Sequence, residues 1–325
     1  MPELEIDSLP TIDEIKSAQD LVYSVMQPTP QIVWPLLCER LGTEVWMKHE
    51  NHTPIGAFKA RTAVVYAAEL FRGAEAITGL VTATRGNHGQ SVALAAKRFD
   101  VPAHIVVPEG NSPEKNAAMR AQGANLIEFG HDYQESKEQA QKLAAERGWH
   151  FVPSYHRDIV KGVATYWLEF FSSVDDVDVV YVPIGQGSGI CSCVAVRNGL
   201  SLKTKIVGVV AAGAPAYALS FEAGRKIAAP VTTLLADGMA CRVPDDASLA
   251  VVLQNVERVI QVTEEEIAEA MRIIFPATHN VAEGAGAAGF AAALKEKESL
   301  KGKRVGTVLS GGNVDREVFA KVLQG

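Results

Sequence analysis

Short apolar runs that end in glycine-rich turns constrain this chain more than any other feature of its sequence. The run at 179–183, Val179-Val180-Tyr181-Val182-Pro183, leads into Ile184-Gly185-Gln186-Gly187-Ser188-Gly189. The run at 79–83 leads into Thr84-Arg85-Gly86-Asn87-His88-Gly89, and that at 303–309 into Ser310-Gly311-Gly312-Asn313. A strand with no polar alternation is covered on both faces, as in a parallel sheet flanked by helices. Further strands are expected at 44–48, 103–107, 125–129 and 206–211. Helical patterns fall between them: the Ala-rich 87–99, then 114–122 behind a Ser112-Pro113 start, then 132–147 with Gly148 after it. This alternation predicts an α/β fold of parallel sheets, with its binding crevice at the carboxyl ends of the strands. With no internal repeat and no low-complexity linker, any domain boundary must be an interleaved one, near residues 50 and 150.

Bulk properties narrow the function. The 325 residues suit one large or two modest domains, and 47% hydrophobic with 21% charged content marks an ordinary globular protein. A net charge of −7 without a basic run argues against nucleic acid or an anionic membrane as main partner. The acidic, mixed segment 1–11 is not a signal peptide, and no apolar stretch reaches spanning length, so a soluble protein is expected. Cys38, Cys191, Cys193 and Cys241 form no Cys-x-x-Cys pair, and Cys191-x-Cys193 lacks a partner at zinc spacing. They read as small buried thiols in a reducing cytoplasm.

Lys59 stands out among the charged residues. It closes Thr53-Pro54-Ile55-Gly56-Ala57-Phe58-Lys59, between the strand at 44–48 and a helical pattern at 60–70. Its apolar neighbours Ala57, Phe58 and Ala60 and the positive end of a following helix both disfavour its ammonium form. A neutral amine can form a Schiff base with an aldehyde cofactor. A lysine that merely ends a loop is the other reading of this segment, and the three glycine turns favour the first.

In the turn 84–89, a helix start offers unpaired N–H groups to a carboxylate. Asn87 is either a ligand group or the cap of that helix, His88 has packing beside the turn as its plain reading and is not taken as a base, and Arg85 either grips a carboxylate at two points or faces solvent. In the turn 185–189, three alternate glycines let amides converge on a phosphate, with the Ser188 hydroxyl as a further donor. A dinucleotide site would want Gly-x-Gly-x-x-Gly and an acid after the next strand, yet that strand ends in Val209-Val210-Ala211-Ala212-Gly213. A small monophosphate fits better. The third turn lets a flat ligand approach closely and offers the neutral hydroxyl of Ser310.

In this order and spacing, with Ala236-Asp237-Gly238 between the second and third turns, the chain resembles the fold-type II family of pyridoxal phosphate enzymes from about Pro28 to Asn313. The likeness is to the threonine dehydratase and serine racemase branch. It implies two interleaved open-sheet α/β domains like those of tryptophan synthase β. Residues 1–50 and 150–325 would form a large cofactor-binding domain, and 51–149 a small substrate-loop domain. It implies pyridoxal 5'-phosphate on Lys59 with Phe58 packed beside it, and Asn87 on the cofactor's phenolic oxygen. Gly185, Gln186, Gly187, Ser188 and Gly189 would hold the phosphate, Gly238 and Glu283 would lie by the ring, and Ser310 would face its nitrogen. Thr84, Arg85, Gly86, Asn87 and His88 would bind an amino-acid substrate. The implied reaction is loss of a β-hydroxyl from a threonine-, serine- or phenylserine-type amino acid, with Lys59 removing the Cα proton, to give a 2-oxo acid and ammonia. A homodimer in the cytoplasm is expected.

Two departures bear on this. Relatives commonly carry serine or alanine at position 85, where a racemase's serine acts as base; arginine is a poor base, which argues against racemisation. The family's usual glutamate after the strand at 206–211 is replaced by Gly213, so no metal is expected. No C-terminal regulatory domain is expected either. β-Replacement of the cysteine synthase kind, an amino-acid racemase and a non-catalytic binding protein remain the alternatives.

Overall fold

The computed structural model describes residues 9–73 and 77–325. Its strands are β1 (Gln31–Val33), β2 (Val45–His49), β3 (Leu80–Ala83), β4 (Ala103–Val107), β5 (Ala124–Glu128), β6 (His150–Phe151), β7 (Val179–Pro183), β8 (Lys205–Ala211), β9 (Arg258–Val262) and β10 (Val305–Leu309). Thirteen α-helices accompany them among the described residues. The strands form a six-stranded sheet, β1-β2-β10-β7-β8-β9, and a four-stranded sheet, β5-β4-β3-β6. Only β1 runs antiparallel to its neighbour.

The seven expected strands are present, two with unchanged limits (β4 and β7) and five shifted by one or two residues. β1, β6 and β9 were not anticipated. Each is an edge strand, short or half exposed, so none reads as a continuous apolar run. Local chemistry set the helix ends. Ser112 accepts from the Lys115 N–H ahead of helix Pro113–Ala121. Asp132 does the same for Glu135 in helix Tyr133–Arg147, which stops at Gly148 in the left-handed region.

The chain leaves the larger sheet after β2, builds the smaller one, and returns at β7. Last, β10 inserts between β2 and β7 with parallel register, Leu309 opposite His49 and Thr307 opposite Tyr181. That insertion sets Ser310 beside the loop that ends in Lys59. The Phe58 N–H donates to Ser310 O at 2.9 Å, and the Gly312 N–H to Gly56 O at 2.9 Å. One apolar core runs from Leu80 and Ile105 of the smaller sheet, through Tyr166, Trp167 and Phe170 of helix Arg157–Ser173, to Val180 and Ile206 of the larger sheet. The ends of β3, β7 and β10 therefore face a common crevice.

Candidate active site

Lys59 immediately precedes helix Ala60–Gly73 and lines the crevice. Thr53 holds its loop in place: its hydroxyl donates to Ala57 O at 2.7 Å and accepts from the Ala57 N–H at 3.0 Å. The amine lies 3.4 Å from Ser188 Oγ and 5.0 Å from the centre of the Phe58 ring. No carboxylate pairs with it among the described residues. Withdrawal from water lowers its ammonium from the ordinary 10.5 to about 8.

The second wall is the turn after β7. Gly187 has φ +97°, and a Cβ there would lie 2.5 Å from Ser248 Cβ; a Cβ at Gly185 would lie 2.5 Å from Gly238 O. The turn can take this course only with bare backbone at those two positions. It opens helix Ser188–Gly199, whose first-turn N–H groups have no helical acceptor. Behind it the Tyr217 hydroxyl donates to Gln186 O at 3.1 Å and pairs with Ser248 Oγ.

The turn after β3 supplies the third wall. Gly86 is the helix cap residue and contributes no side-chain bond, so Asn87 is the first helical residue rather than the cap. Its side chain instead joins distant segments. Asn87 Nδ2 donates to Glu283 Oε1 at 2.9 Å, and Asn313 Nδ2 donates to Asn87 Oδ1 at 2.8 Å and to Ile55 O at 2.7 Å. Burial first, then the nearby Asp237 charge, push the Glu283 carboxyl up from 4.5 to about 7, while Lys115 and Asn87 oppose the shift. His88 is buried, and burial followed by the Lys59 charge lowers its imidazole to about 3. A neutral ring with Nε2 3.5 Å from Val152 O is packing for the turn, not a base. Arg85 is exposed at the rim.

Phe58, Lys59, Thr84, Arg85, Gly86, Asn87, His88, Gly185, Gln186, Gly187, Ser188, Gly189, Gly238, Glu283 and Ser310 all line this one crevice. Lys115, Tyr133, Ser154, Tyr166 and Asp237 line it as well, none of them marked as a site residue by a local sequence pattern. Lys115 and Asp237 form an ion pair across the crevice from positions 122 residues apart, a contact no local pattern signals. At position 213 a Cβ would lie 2.7 Å from Thr233 N, so the loop at 232–233 fills the space a side chain would need. The four cysteines are free thiols, three of them buried.

Comparison with known proteins gives a consistent result. The sequence model of the family described as "Pyridoxal-phosphate dependent enzyme" matches residues 22–311. The chain is 33% identical over 319 residues to the L-threo-3-hydroxyaspartate ammonia-lyase of Saccharomyces cerevisiae, covering 98% of this chain and 97% of that one. It is 36% identical over 315 residues to the L-threonine ammonia-lyase of Thermotoga maritima, covering 96% and 78%. Among solved structures, maize serine racemase superposes with a TM-score of 0.89 at 28% identity, over 98% of both chains.

Proposed function

The chain belongs to the family of pyridoxal-phosphate dependent enzymes, and on that premise we propose that it is an ammonia-lyase acting on a β-hydroxy-α-amino acid. The observation that carries this reading is the Lys59 amine, brought to a pKa of about 8 with no carboxylate partner and set against a glycine turn that opens a helix.

The residues present fit the cofactor. The amides of residues 185–189, at the positive end of a helix, would hold its phosphate, and any side chain at Gly185 or Gly187 would close the cradle. Phe58, Asn87, Gly238 and Glu283 line the crevice and would border the ring, and Ser310 would offer its nitrogen a neutral hydroxyl. When bound, pyridoxal phosphate supplies an electron-accepting ring conjugated to the substrate nitrogen. The protein supplies the rest. The N–H groups at the start of helix Asn87–Arg98 hold the substrate α-carboxylate. The Lys59 amine, partly neutral near physiological pH, removes the Cα proton. Ser310 would present a neutral hydroxyl rather than a carboxylate to that ring, so the ring would draw off less of the developing charge than it would beside an aspartate. The released enamine takes up water and loses ammonia, leaving a 2-oxo acid. Racemisation would need a base on the opposite face, and the guanidinium at position 85 is a poor one.

Among the described residues no helix is long and apolar enough to cross a membrane. We place the enzyme in the cytoplasm as a homodimer, with 1–50 and 150–325 as cofactor domain and 51–149 as substrate-loop domain. The test of function is direct. Purified protein loaded with pyridoxal phosphate is given threonine, serine and threo-phenylserine, and 2-oxo acid and ammonia are measured in equal amounts. Lys59→Ala abolishes both and removes the visible absorbance of the bound cofactor. No 2-oxo acid from any β-hydroxy amino acid would overturn the reading.

A further inference from the structure

Resting on the ammonia-lyase reading, we propose that the preferred substrate carries a second carboxylate on its β-carbon, as 3-hydroxyaspartate does, and that Arg85 binds it. Three observations lead there.

The first is the state of the cations at the site. Lys59 is committed to chemistry, and Lys115 is already paired with Asp237. Arg85 is exposed, and among the described residues its guanidinium has neither a hydrogen bond nor an ion pair; only its backbone oxygen is engaged, by Asn111 Nδ2 at 3.2 Å. The second is position. Arg85 lies on the turn whose helix-start amides are offered to the α-carboxylate, two residues before helix Asn87–Arg98. A second anion one carbon further along the substrate lies within reach of such a side chain.

The third is a groove that opens onto the crevice. The two share Arg85, Tyr133, Ser154, Gln186 and Ala240. Further out the groove carries Lys137 and Arg242, neither of which forms an ion pair among the described residues. Its carboxylates are engaged as helix caps: Asp132 accepts from the Glu135 N–H at 2.9 Å and Asp245 from the Ser248 N–H at 3.1 Å. In a chain of net charge −7, an approach that sets three cations outside ion pairs against two capping carboxylates draws in an amino acid of net negative charge ahead of a net-neutral one. A guanidinium holds a carboxylate at two points, whereas a methyl or aryl β-substituent would take water from it and return nothing.

The reaction balances without a further reagent. The Cα–H and Cβ–O bonds break, water leaves, water returns at hydrolysis of the enamine, and the products are a 2-oxo dicarboxylate and ammonia.

The test compares parent holoenzyme with Arg85→Gln and Arg85→Lys on 3-hydroxyaspartate and threonine. Parent kcat/KM favours 3-hydroxyaspartate. Arg85→Gln lowers that value roughly 30- to 100-fold, mainly through KM, and lowers it at least tenfold more than the value for threonine. Arg85→Lys recovers part of the loss. A readout without turnover uses calorimetry on the holoenzyme: succinate binds more tightly than butyrate, and Arg85→Gln removes the difference. Equal losses on both substrates would assign Arg85 to the α-carboxylate and overturn the proposal. So would a parent preference for threonine with normal turnover, which leaves the ammonia-lyase reading standing. Absence of 2-oxo acid from every substrate would instead bring down that underlying reading.

Discussion

Lys59 sets a chemical requirement against a stability requirement. Its ammonium falls from 10.5 in the unfolded chain to about 8 in the fold. Between those values the unfolded chain binds the proton more tightly, so stability rises with pH across that window, and below it the full penalty applies. The 2.5-unit difference (10.5 − 8) corresponds to roughly 3 kcal/mol. In cofactor-free protein, Lys59→Met is therefore expected to raise stability by about 2 to 3 kcal/mol at neutral pH, a gain that shrinks toward pH 10.5. Urea unfolding at a series of pH values checks this; a loss of stability at neutral pH would show that the amine is not desolvated. At Glu283 the sign reverses. Its carboxyl is raised from 4.5 to about 7, so the fold loses stability as pH climbs through that interval. Lys59 was legible because its apolar neighbours adjoin it in sequence. The partners that fix Asn87, 196 and 226 residues away, were not, since only the closed fold brings Glu283 and Asn313 to it.

In the larger sheet the parallel strands were legible in proportion to their burial, while the half-exposed edge strand β5 of the smaller sheet was legible all the same. β7, β8 and β10 are paired on both edges and almost wholly buried, and they read as mainly apolar runs, whereas β9 pairs on one side only and mixes Arg258 and Gln261 into its apolar residues. Glycine spacing alone suggested a phosphate seat in the turn after β7, but the constraint on its backbone is visible only in three dimensions. Gly187 combines φ +97° with a neighbour 2.5 Å from where a Cβ would be. Gly187→Ala is expected to cost about 2 to 4 kcal/mol and to weaken pyridoxal phosphate binding at least tenfold. Gly224 ends helix Ala216–Ala223 at φ +64° with nothing within 4 Å. Gly224→Ala thus carries the backbone strain alone, about 1 kcal/mol, with unchanged affinity. Fluorescence titration with the cofactor and urea unfolding measure both variants. Matching affinities would mean that the turn after β7 does not seat the phosphate.

At the scale of the molecule, a buried charge cluster ties the Lys59 loop to the scaffold. Lys48 of β2, Glu50, Arg61 of helix Ala60–Gly73 and Glu169 of helix Arg157–Ser173 form two cations and two anions with side chains 0% to 8% exposed. Arg61 Nε donates to Glu50 Oε2 at 2.8 Å and Arg61 Nη1 to Glu169 Oε1 at 2.6 Å, while Lys48 Nζ meets Glu169 Oε2 at 2.5 Å. The Tyr23 and Thr29 hydroxyls complete the set, donating to Glu169 at 2.9 Å and to Glu50 at 2.5 Å. Arg61 follows Lys59 by two residues, so this cluster fixes where the amine's helix begins. None of it was apparent in sequence, because charged residues give no periodic signal and these join segments more than a hundred positions apart. A balanced cluster adds little net stability against a well-packed apolar one, yet removing one member strands the rest. Burial pushes the Glu169 carboxyl up, and the Arg61 and Lys48 charges more than reverse this, leaving it below the ordinary 4.5. A depressed carboxyl stabilises the fold above its unfolded value and loses that contribution as pH falls below it. Glu169→Gln is therefore expected to cost about 3 to 5 kcal/mol at neutral pH. The gap to the parent closes below pH 4.5, as the parent's own carboxylate takes up its proton. Urea unfolding of both proteins from neutral to acid pH measures it, and a loss under about 1 kcal/mol at neutral pH would mean that packing alone, not charge pairing, joins the Lys59 loop to the two helices.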